Sequence, residues 1–262
     1  MLTLLTLNIQ VIFVCMLLLW LLSLRLKDVS IIDRFWGLLY VIQVWLIAWQ
    51  VETWTPRIML VGALVSLWGV RLSLHLHLRN RGLPEDYRYQ QMRLRHGPHK
   101  FWWYSFLSVF CIQGVLAVLI GSPFLFIAQA SHLAWTAWDF LGGVLFTTGF
   151  IFEAVGDHQL KAFKRDPTQR GKLLTTGLWS LTRHPNYFGD ALLWWGIGCF
   201  ALTAPYGYLS LGGPLLMQFL LMKVSGVKLL EKQLEHSKPG YRTYMETTPA
   251  FYPDLRKLWK KS

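Results

Sequence analysis

Residues 182–204 read TRHPNYFGDALLWWGIGCFALTA, a polar cluster followed directly by an apolar run. The cluster brings together a guanidinium, an imidazole, a carboxamide, a phenol and a carboxylate. The run approaches the roughly 20 apolar residues that a helix needs to cross a membrane. Polar groups beside hydrocarbon cost free energy unless they hold something. The stretch therefore predicts a membrane helix with a functional site at its edge.

Six further apolar runs accompany this one, and together they predict the fold class. The chain is 53% hydrophobic, carries 14 tryptophans and is only 15% charged, which departs from the composition of soluble domains. We expect an all-α fold, an integral membrane bundle of seven transmembrane helices. The predicted spans lie at about residues 7–26, 35–51, 57–78, 103–127, 138–156, 187–204 and 206–224.

The distribution of lysine and arginine predicts the orientation of this bundle. Basic residues fill the segments after the third and fifth predicted spans and the tail after the seventh. The segments after the second, fourth and sixth predicted spans carry almost none beyond Arg57. Because short cytoplasmic loops are rich in basic residues, we expect the N-terminus outside and the C-terminus in the cytoplasm.

The net charge of +12 follows from these basic loops, which set topology and contact anionic membrane lipid. No nucleic-acid-binding pattern accompanies the charge, so we expect no nucleic acid as a partner. The three cysteines lie in apolar runs without paired spacing, which favours neither a disulfide framework nor zinc. His75 and His77 fall on different faces of a helix, so we expect no metal site.

The fifth predicted span carries ionisable residues out of the membrane on one face. Glu153, Asp157, Lys161 and Lys164 recur at helical spacing and therefore lie above one another. A ladder of side-chain pairs would explain the spacing, but Glu153 lies within the apolar run, where a charge usually has a function. Lys172 follows in a basic glycine turn, and such a turn suits a diphosphate or a ribose phosphate.

A second set of polar residues lies between the early spans. Asp33 comes one turn before Trp36, either as part of a capped turn or as a carboxylate at the mouth of a cavity walled by Trp36. Tyr87 and Tyr89 lie in a segment that is either an interfacial helix or a clamp for a phosphate and a ring. A polarised phenol can act as a general acid. We take Asp33 and Tyr87 as the candidate catalytic residues.

The tail combines Glu231 with Tyr241 and Tyr244, which follow a Pro-Gly break at residues 239–240. A segment of this composition could fold back under the bundle and cover an adenine. It could equally form an amphipathic helix on the membrane surface. Both alternatives remain open from the sequence.

Two motifs carry a resemblance to a known family. Residues 156–160, GDHQL, and residues 183–190, RHPNYFGD, resemble membrane reductases related to steroid 5α-reductase, and are most similar to bacterial members often left as a domain of unknown function. The resemblance spans essentially the whole chain. The Arg-His-Pro-x-Tyr core is less specific, because isoprenylcysteine and phospholipid methyltransferases share it and sterol C14 reductases carry a close form.

The resemblance implies a single membrane-embedded reductase domain over 1–262, in a bacterial inner membrane. Residues 1–101 would form the substrate side and residues 102–262 the cofactor side. NADPH would enter from the cytoplasm and deliver a hydride to the β-carbon of an enone lipid, such as the 4,5 double bond of a 3-oxo-4-ene steroid. The implied cofactor-binding residues are Asp157, Lys161, Lys164, Lys172, Arg183, His184, Asn186, Tyr187, Asp190, Glu231, Tyr241 and Tyr244.

Within that set, the resemblance implies that Asn186 and Asp190 hold the nicotinamide end. The animal steroid reductases grip the substrate ketone with a Gln-Glu pair and a tyrosine, whereas the corresponding positions here are roughly Asp33, Arg34 and Trp68. The substrate and the proton donor therefore stay open. We expect Trp36 and Trp68 to bind the substrate.

Three function classes compete for this chain. The reductase hypothesis explains the pairing of Asn186 with Asp190 and the lysine-rich helix face, which suits a 2′-phosphate. A methyltransferase that uses S-adenosylmethionine fits the Arg-His-Pro-x-Tyr core and Glu231, but leaves Asp190 unexplained. A membrane scaffold would leave the buried Glu153 without a purpose. We expect a reductase that acts as a monomer on a hydrophobic small molecule within membrane lipid.

Overall fold

The structure is a computed structural model that describes residues 1–130, 134–224 and 226–259. Over these ranges the protein is 78% helical and has no strand, which confirms the all-α prediction. The contacts divide the chain into two compact units, residues 1–134 with 201–210 and residues 135–200 with 211–262.

Five helical segments are long and apolar enough to cross a membrane, judged by length and composition. They are Leu2–Leu26, Ile31–Trp49, Pro56–Asn80, His99–Ile127 and Ala137–Arg165. The predicted count of seven spans is not confirmed, because the last two predicted spans form shorter helices. The helix Pro185–Ala201 has 17 residues, and the stretch predicted over 206–224 is divided into three short helical pieces.

The first unit contains helices α1 to α7 in chain order. Their bounds are α1 Leu2–Leu26, α2 Ile31–Trp49, α3 Pro56–Asn80, α4 Tyr87–His96, α5 Pro98–Ser105, α6 Ile112–Ile120 and α7 Pro123–Ile127. A π-helical turn, Phe106–Cys111, joins α5 to α6. A 3-10 turn, Gly207–Leu211, begins in the same unit.

Helices α2 and α3 pack closely because glycines face each other at their contact. A Cβ atom added to Gly69 would lie 2.5 Å from the carbonyl oxygen of Gly37. Membrane helices often pair in this way, since small residues allow their backbones to approach. Deeper in the unit, Asn8 of α1 donates to Gln43 of α2 over 3.3 Å, and both side chains are fully buried.

The second unit contains the remaining helices. Their bounds are α8 Ala137–Arg165, α9 Pro185–Ala201, α10 Gly212–Phe219, α11 Val227–Ser237, α12 Tyr241–Thr247 and α13 Arg256–Trp259. Helix α8 begins with a capping box in which Thr136 and Asp139 each accept the other's backbone N–H. Two 3-10 turns, Pro167–Gln169 and Gly177–Ser180, lie between α8 and α9.

Helices α8 and α9 run antiparallel in close contact along a stripe of glycines. A Cβ on Gly142 would meet the carbonyl oxygen of Gly196 at 2.8 Å, and one on Gly149 would meet that of Gly189 at 2.5 Å. One heptad further along α8, a Cβ on Gly156 would meet Pro185 at 3.2 Å. This stripe of glycines therefore brings the C-terminal part of α8 against the polar motif at the start of α9.

Candidate functional site

In the second unit, a hydrogen bond between two side chains joins the motif at residues 156–160 to the motif at residues 183–190. The side-chain nitrogen of Asn186 donates to a carboxylate oxygen of Asp157 over 3.1 Å. Asp157 is buried and Asn186 is half-buried. The pair lies beside Gly156, where an added Cβ would be in tight contact with Pro185 of α9 at 3.2 Å. A carboxylate and a carboxamide are thus held together at one end of the helix contact.

Arg183 is the most heavily bonded residue of the motif. Its guanidinium lies 2.6 Å from a carboxylate oxygen of Glu231, although its side chain is only 6% exposed. The same guanidinium donates to the backbone carbonyls of Met245, over 3.0 Å, and Thr248. Burial of a charge is tolerated when it is paired and hydrogen-bonded in this way. Arg183 therefore ties α11 and α12 to the start of α9.

His184 shares the same carboxylate. Its Nε2 lies 3.3 Å from Glu231, and its ring stacks on Tyr187 with a centroid distance of 5.6 Å. Partial burial alone would raise the pKa of Glu231, but hydrogen bonds from His184 and Arg183 and the charge of Arg183 hold this pKa below its ordinary value. Glu231 is therefore an anion that orients the guanidinium and the imidazole.

Two buried tyrosines of α12 complete this cluster. Burial and the charge of Glu231 raise the pKa of Tyr241 to about 12, so its phenol stays protonated. Tyr244 donates its hydroxyl to the backbone carbonyl of Trp179, and burial raises the pKa of Tyr244 as well. The indole of Trp179 in turn donates to the carbonyl of Gly156 over 3.1 Å. The tail is therefore linked to the residue that precedes Asp157.

Further hydrogen bonds hold the tail against the segment that precedes α9. The Thr182 hydroxyl lies 2.9 Å from the carbonyl oxygen of Phe251, and the Arg183 N–H donates to the carbonyl of Pro249 over 2.9 Å. Phe251 also packs in an apolar cluster with Ala191 and Val227. The tail is therefore folded back against the start of α9, and its contact with an adenine stays a prediction.

The other cofactor-side candidates lie around this core. Asp190 is half-buried, one helical turn after Asn186 on α9, and Glu153 is buried one turn before Asp157 on α8. Lys161, Lys164 and Lys172 are exposed. The structure thus brings Asp157 to Asn186 and Glu231 to Arg183 and His184, and it leaves Lys161, Lys164 and Lys172 at exposed positions.

The substrate-side candidates form a separate cluster in the first unit. Asp33 accepts a hydrogen bond from the phenol of Tyr89 over 3.1 Å, and Arg88 lies 2.9 Å from its other oxygen. Gln113 donates to the Tyr89 hydroxyl over 3.4 Å. Tyr87 is 69% exposed and points elsewhere. Of the two tyrosines considered from the sequence, Tyr89 is therefore the one in contact with Asp33.

Burial and the nearby charge of Asp33 raise the pKa of Tyr89, so the phenol is a proton donor in this contact. Burial alone would lower the pKa of Arg88, but hydrogen bonding to Asp86 and the charge of Asp33 raise it. Asp86 also caps α4 by accepting the N–H of Arg88 over 2.9 Å. These bonds fix the first turn of α4 against the start of α2.

Sequence reasoning missed one further ion pair next to this cluster. Arg93 binds the carboxylate of Glu85 with two nitrogens, at 2.8 and 3.1 Å, and its guanidinium lies 4.3 Å from the centre of the Phe101 ring. Glu85 also accepts the backbone N–H of Val29 over 2.8 Å. The signal in the sequence was the eight-residue separation of Glu85 and Arg93, which is close to helical spacing. Glu85 precedes the start of α4, so helical spacing does not predict this contact.

The two tryptophans expected to bind substrate lie in the first unit on either side of Tyr40. The ring of Trp36 is 5.4 Å from that of Tyr40, and the fully buried ring of Trp68 is 5.8 Å from it. They form a packed aromatic layer between α2 and α3. Within the described part of the chain, no group of three or more His, Cys, Asp or Glu residues could hold a metal.

These features define a helical membrane protein with two clusters of polar residues, one at the end of α8, the start of α9 and the tail, and the other at the starts of α2 and α4. The chain belongs to the family described as "Protein of unknown function (DUF1295)", whose model matches residues 19–248.

Three relatives show what this chain is similar to. It is 25% identical to the "Uncharacterized protein C594.04c" of Schizosaccharomyces pombe, over 90% of this chain and 76% of that protein. It is 36% identical to the Delta(14)-sterol reductase erg24 of the same yeast, over 38% of this chain and 28% of that reductase. It is 46% identical to the "Probable O-methyltransferase ustE" of Ustilaginoidea virens, over 18% of this chain and 16% of that protein. No solved structure matches the chain.

Proposed function

We propose that this chain is a membrane enzyme that modifies lipids, and that its reaction is the NADPH-dependent reduction of a carbon–carbon double bond in an enone lipid. A 3-oxo-4-ene steroid reduced at its 4,5 double bond is the example that the resemblance to steroid 5α-reductases suggests. The similarity to a Delta(14)-sterol reductase supports a reductase acting on a sterol-like molecule.

The contact between Asn186 and Asp157 is the observation that carries this proposal. A nicotinamide ring bears a carboxamide, which both donates and accepts hydrogen bonds. Because the Asn186 nitrogen is held by Asp157 at 3.1 Å, the Asn186 oxygen is oriented to accept from that carboxamide. Asp190, one turn further along α9, offers a second acceptor. A nicotinamide carboxamide can donate N–H groups to these oxygens, whereas a sulfonium ion has no hydrogen-bond donor to offer them.

The remaining cofactor-side residues suit the rest of the dinucleotide. Lys161, Lys164 and Lys172 are exposed cations that can bind the diphosphate and the 2′-phosphate. Glu231 orients Arg183 and His184 through the bonds described above. When bound, NADPH supplies the hydride. Asn186 and Asp190 would hold its carboxamide, and the three lysines would neutralise its phosphates.

Reduction also needs a proton for the α-carbon of the enone. Asp33 and a tyrosine of α4 are the proposed source: Tyr87 was the sequence candidate, and the hydrogen bond to Asp33 favours Tyr89. A tyrosine phenol that its neighbours anchor can act as a general acid, which here requires it to exchange its hydrogen bond to Asp33 for one to the substrate. Arg88 and Gln113 provide that anchoring. Trp36 and Trp68 are the proposed apolar walls for the substrate.

The topology belongs to the same proposal. A single domain of seven spans, with its N-terminus outside and its C-terminus in the cytoplasm, is supported by the basic loops and by the apolar character of α9 and α10. The resemblance implies a bacterial inner membrane, and a monomeric state is a further part of the proposal. The cytoplasmic side would give the site access to NADPH.

Cofactor binding tests the proposal directly. Protein purified in detergent would be titrated with NADPH, NADH and S-adenosylmethionine, with binding followed by calorimetry. We expect NADPH to bind most tightly, and Asn186→Ala or Asp157→Ala to weaken it by at least about tenfold, as the loss of a charge-assisted bond predicts. His158→Ala, an exposed neighbour on α8, is the matched control and should bind normally. Failure to bind NADPH would overturn the proposal.

A methyltransferase is the second candidate. The cluster of Arg183, His184 and Glu231 and the match to a probable O-methyltransferase favour it. In the same titration, a methyltransferase should bind S-adenosylmethionine and should not bind NADPH. Transfer of a labelled methyl group to an added lipid extract would then replace the reductase assay.

A further inference from the structure

Helix α4 connects two candidate membrane spans of the first unit. The span Pro56–Asn80 ends six residues before α4 begins, and the span His99–Ile127 begins after a gap of two residues. At the start of the second span, Trp102 and Trp103 are 50% and 44% exposed, and tryptophans are enriched at the membrane–water interface. Because both of its ends are tied to spans by short connections, α4 lies at the membrane surface.

One face of α4 is fixed by contacts within the unit. The buried ring of Tyr89 donates its hydroxyl to Asp33 over 3.1 Å. His96, seven residues later and therefore on the same face, stacks on Tyr104 with a centroid distance of 3.6 Å. This inner face of α4 presents Tyr89 to the carboxylate at the start of α2.

The opposite face of α4 exposes large apolar side chains. Tyr87 and Leu94, also seven residues apart, are 69% and 75% exposed, and Leu83 just before the helix is 60% exposed. Most other positions of this helix are polar. Apolar side chains aligned on the outer face of a polar helix indicate an amphipathic helix that rests on an apolar boundary.

A surplus of positive charge accompanies this apolar face. Residues 79–100 contain six basic and two acidic residues, and both acids are paired with arginines of α4. Three basic residues are exposed and have no carboxylate within ion-pair distance in the described part of the chain, namely Arg81, Arg95 and Lys100. Basic residues beside an apolar face are typical of helices that bind anionic lipid headgroups.

Charge and position distinguish the possible occupants of this surface. A second copy of the chain would bring the same positive surplus against itself, which is unfavourable. A soluble phosphate compound would leave Tyr87 and Leu94 in water. A leaflet that contains anionic phospholipid covers both features, because its headgroups meet the basic residues and its acyl boundary meets the apolar side chains.

We infer that α4 docks on anionic phospholipid at the membrane surface through Tyr87, Leu94 and the neighbouring basic residues, and that this docking holds Tyr89 on Asp33. Helix α4 has ten residues, and helices shorter than about 12–15 residues are marginal in water, so contacts on both faces determine whether it forms. Docking itself does not depend on the proposed function. Only its effect on turnover rests on that function, through the proton assigned to Tyr89.

A spin label on the outer face tests docking. Leu94→Cys, in the full-length protein with its three native cysteines replaced by alanine, would carry a nitroxide in nanodiscs that hold one copy. The lipid would be phosphatidylcholine alone or mixed with phosphatidylglycerol. Accessibility to oxygen and to a nickel complex reports whether the nitroxide is in lipid or in water. We expect a lipid environment with phosphatidylglycerol. A label in water in both membranes, or equally in lipid in both, would overturn docking on anionic lipid.

Charge variants separate α4 from other basic residues at the same end of the unit. Arg81→Gln and Arg95→Gln should each lower the ratio of docked to undocked label about fivefold, the effect of one basic residue near anionic headgroups. Arg25→Gln removes an exposed charge at the end of α1 and should leave the ratio unchanged. Soluble glycerol phosphate, added to phosphatidylcholine nanodiscs, should not dock the label. Docking by that compound would make the ligand a phosphate in solution and refute a lipid surface.

Hydrogen exchange and turnover distinguish failure of docking from failure of the reductase proposal. Phosphatidylglycerol should slow exchange of the backbone amides of residues 87–96 at least about fivefold, and Leu94→Gln should remove that protection without changing residues 241–247. If α4 docks and no enone is reduced in either membrane, docking stands and the reductase proposal is wrong. If an enone is reduced equally fast in both membranes although α4 docks only on phosphatidylglycerol, the reductase proposal stands and the link to Tyr89 is wrong.

Discussion

Glu231 and Arg183, which are 48 residues apart in the sequence, form a largely buried ion pair. A carboxylate oxygen and a guanidinium nitrogen are 2.6 Å apart, and the two side chains are 16% and 6% exposed. Such a pair contributes more to geometry than to net stability, because desolvation offsets most of the attraction. Loss of one partner is different, since it leaves the other charge buried. The pair therefore fixes the tail over the start of α9 and makes the site dependent on the tail.

Replacing Glu231 should destabilise the second unit strongly. We expect Glu231→Gln to lower the free energy of unfolding by about 3 kcal/mol, because Arg183 then remains buried without its counter-charge. Glu235→Gln is the matched control: its partner Arg242 is 82% exposed, so the loss should stay within about 1 kcal/mol. Thermal unfolding in detergent, followed by tryptophan fluorescence, measures both. Equal shifts for the two variants would contradict a structural role for the buried pair.

The same carboxylate predicts a pH dependence. Because the pKa of Glu231 in the folded protein lies below its ordinary value of 4.5, the pair stabilises the protein above pH 4.5. That contribution is lost as the pH falls through the lowered folded pKa. The stability difference between the native protein and Glu231→Gln should therefore shrink below pH 4.5 and stay constant above it. Unfolding of both proteins across this range is the measurement; a difference that grows with acidity would refute the assignment.

The helix contact predicts which glycines tolerate a side chain. A Cβ on Gly149 meets the Gly189 carbonyl at 2.5 Å, whereas one on Gly143 meets nothing within 4 Å. Gly149→Ala should therefore lower stability by about 1–3 kcal/mol through forced separation of α8 and α9. Gly143→Ala should leave stability unchanged or raise it slightly. Gly149→Ala should also weaken NADPH binding, because the same contact holds Asp157 beside Asn186.

Much of this site could be predicted from sequence because it depends on local spacing. The glycines of α8 recur every seven residues, and Asp157 follows the last of them by one position. The contact of Asp157 with Asn186 joins residues 29 apart, and it becomes predictable only once the two helices are paired. The bond from Arg183 to Glu231 could not be predicted, because it depends on how the tail folds after Gly240.

The spans illustrate a different limit. Hydropathy identifies apolar runs but not which type of helix the backbone forms along them. The run over 206–224 contains Gly212, Gly213 and Pro214, and the structure divides it into a 3-10 turn, α10 and a π-helical turn. The three pieces follow one another without a gap, so the backbone is helical over 207–224 although only α10 is an α-helix.

The choice between Tyr87 and Tyr89 depends on where the short helix α4 begins, because that decides which of the two rings faces the interior. Helix α4 begins at Tyr87 because Asp86 caps it, which leaves Tyr87 69% exposed and turns Tyr89 to the interior, at 6% exposure. We expect Tyr89→Phe to lower kcat for an enone substrate at least about a hundredfold, the usual effect of removing a general acid. Tyr87→Phe makes the same change in an exposed ring two residues away and should keep full activity. NADPH affinity should be unchanged in both, since the cofactor residues lie in the second unit. Loss of turnover in Tyr87→Phe alone would instead restore Tyr87 as the acid and leave the bond between Tyr89 and Asp33 a structural one.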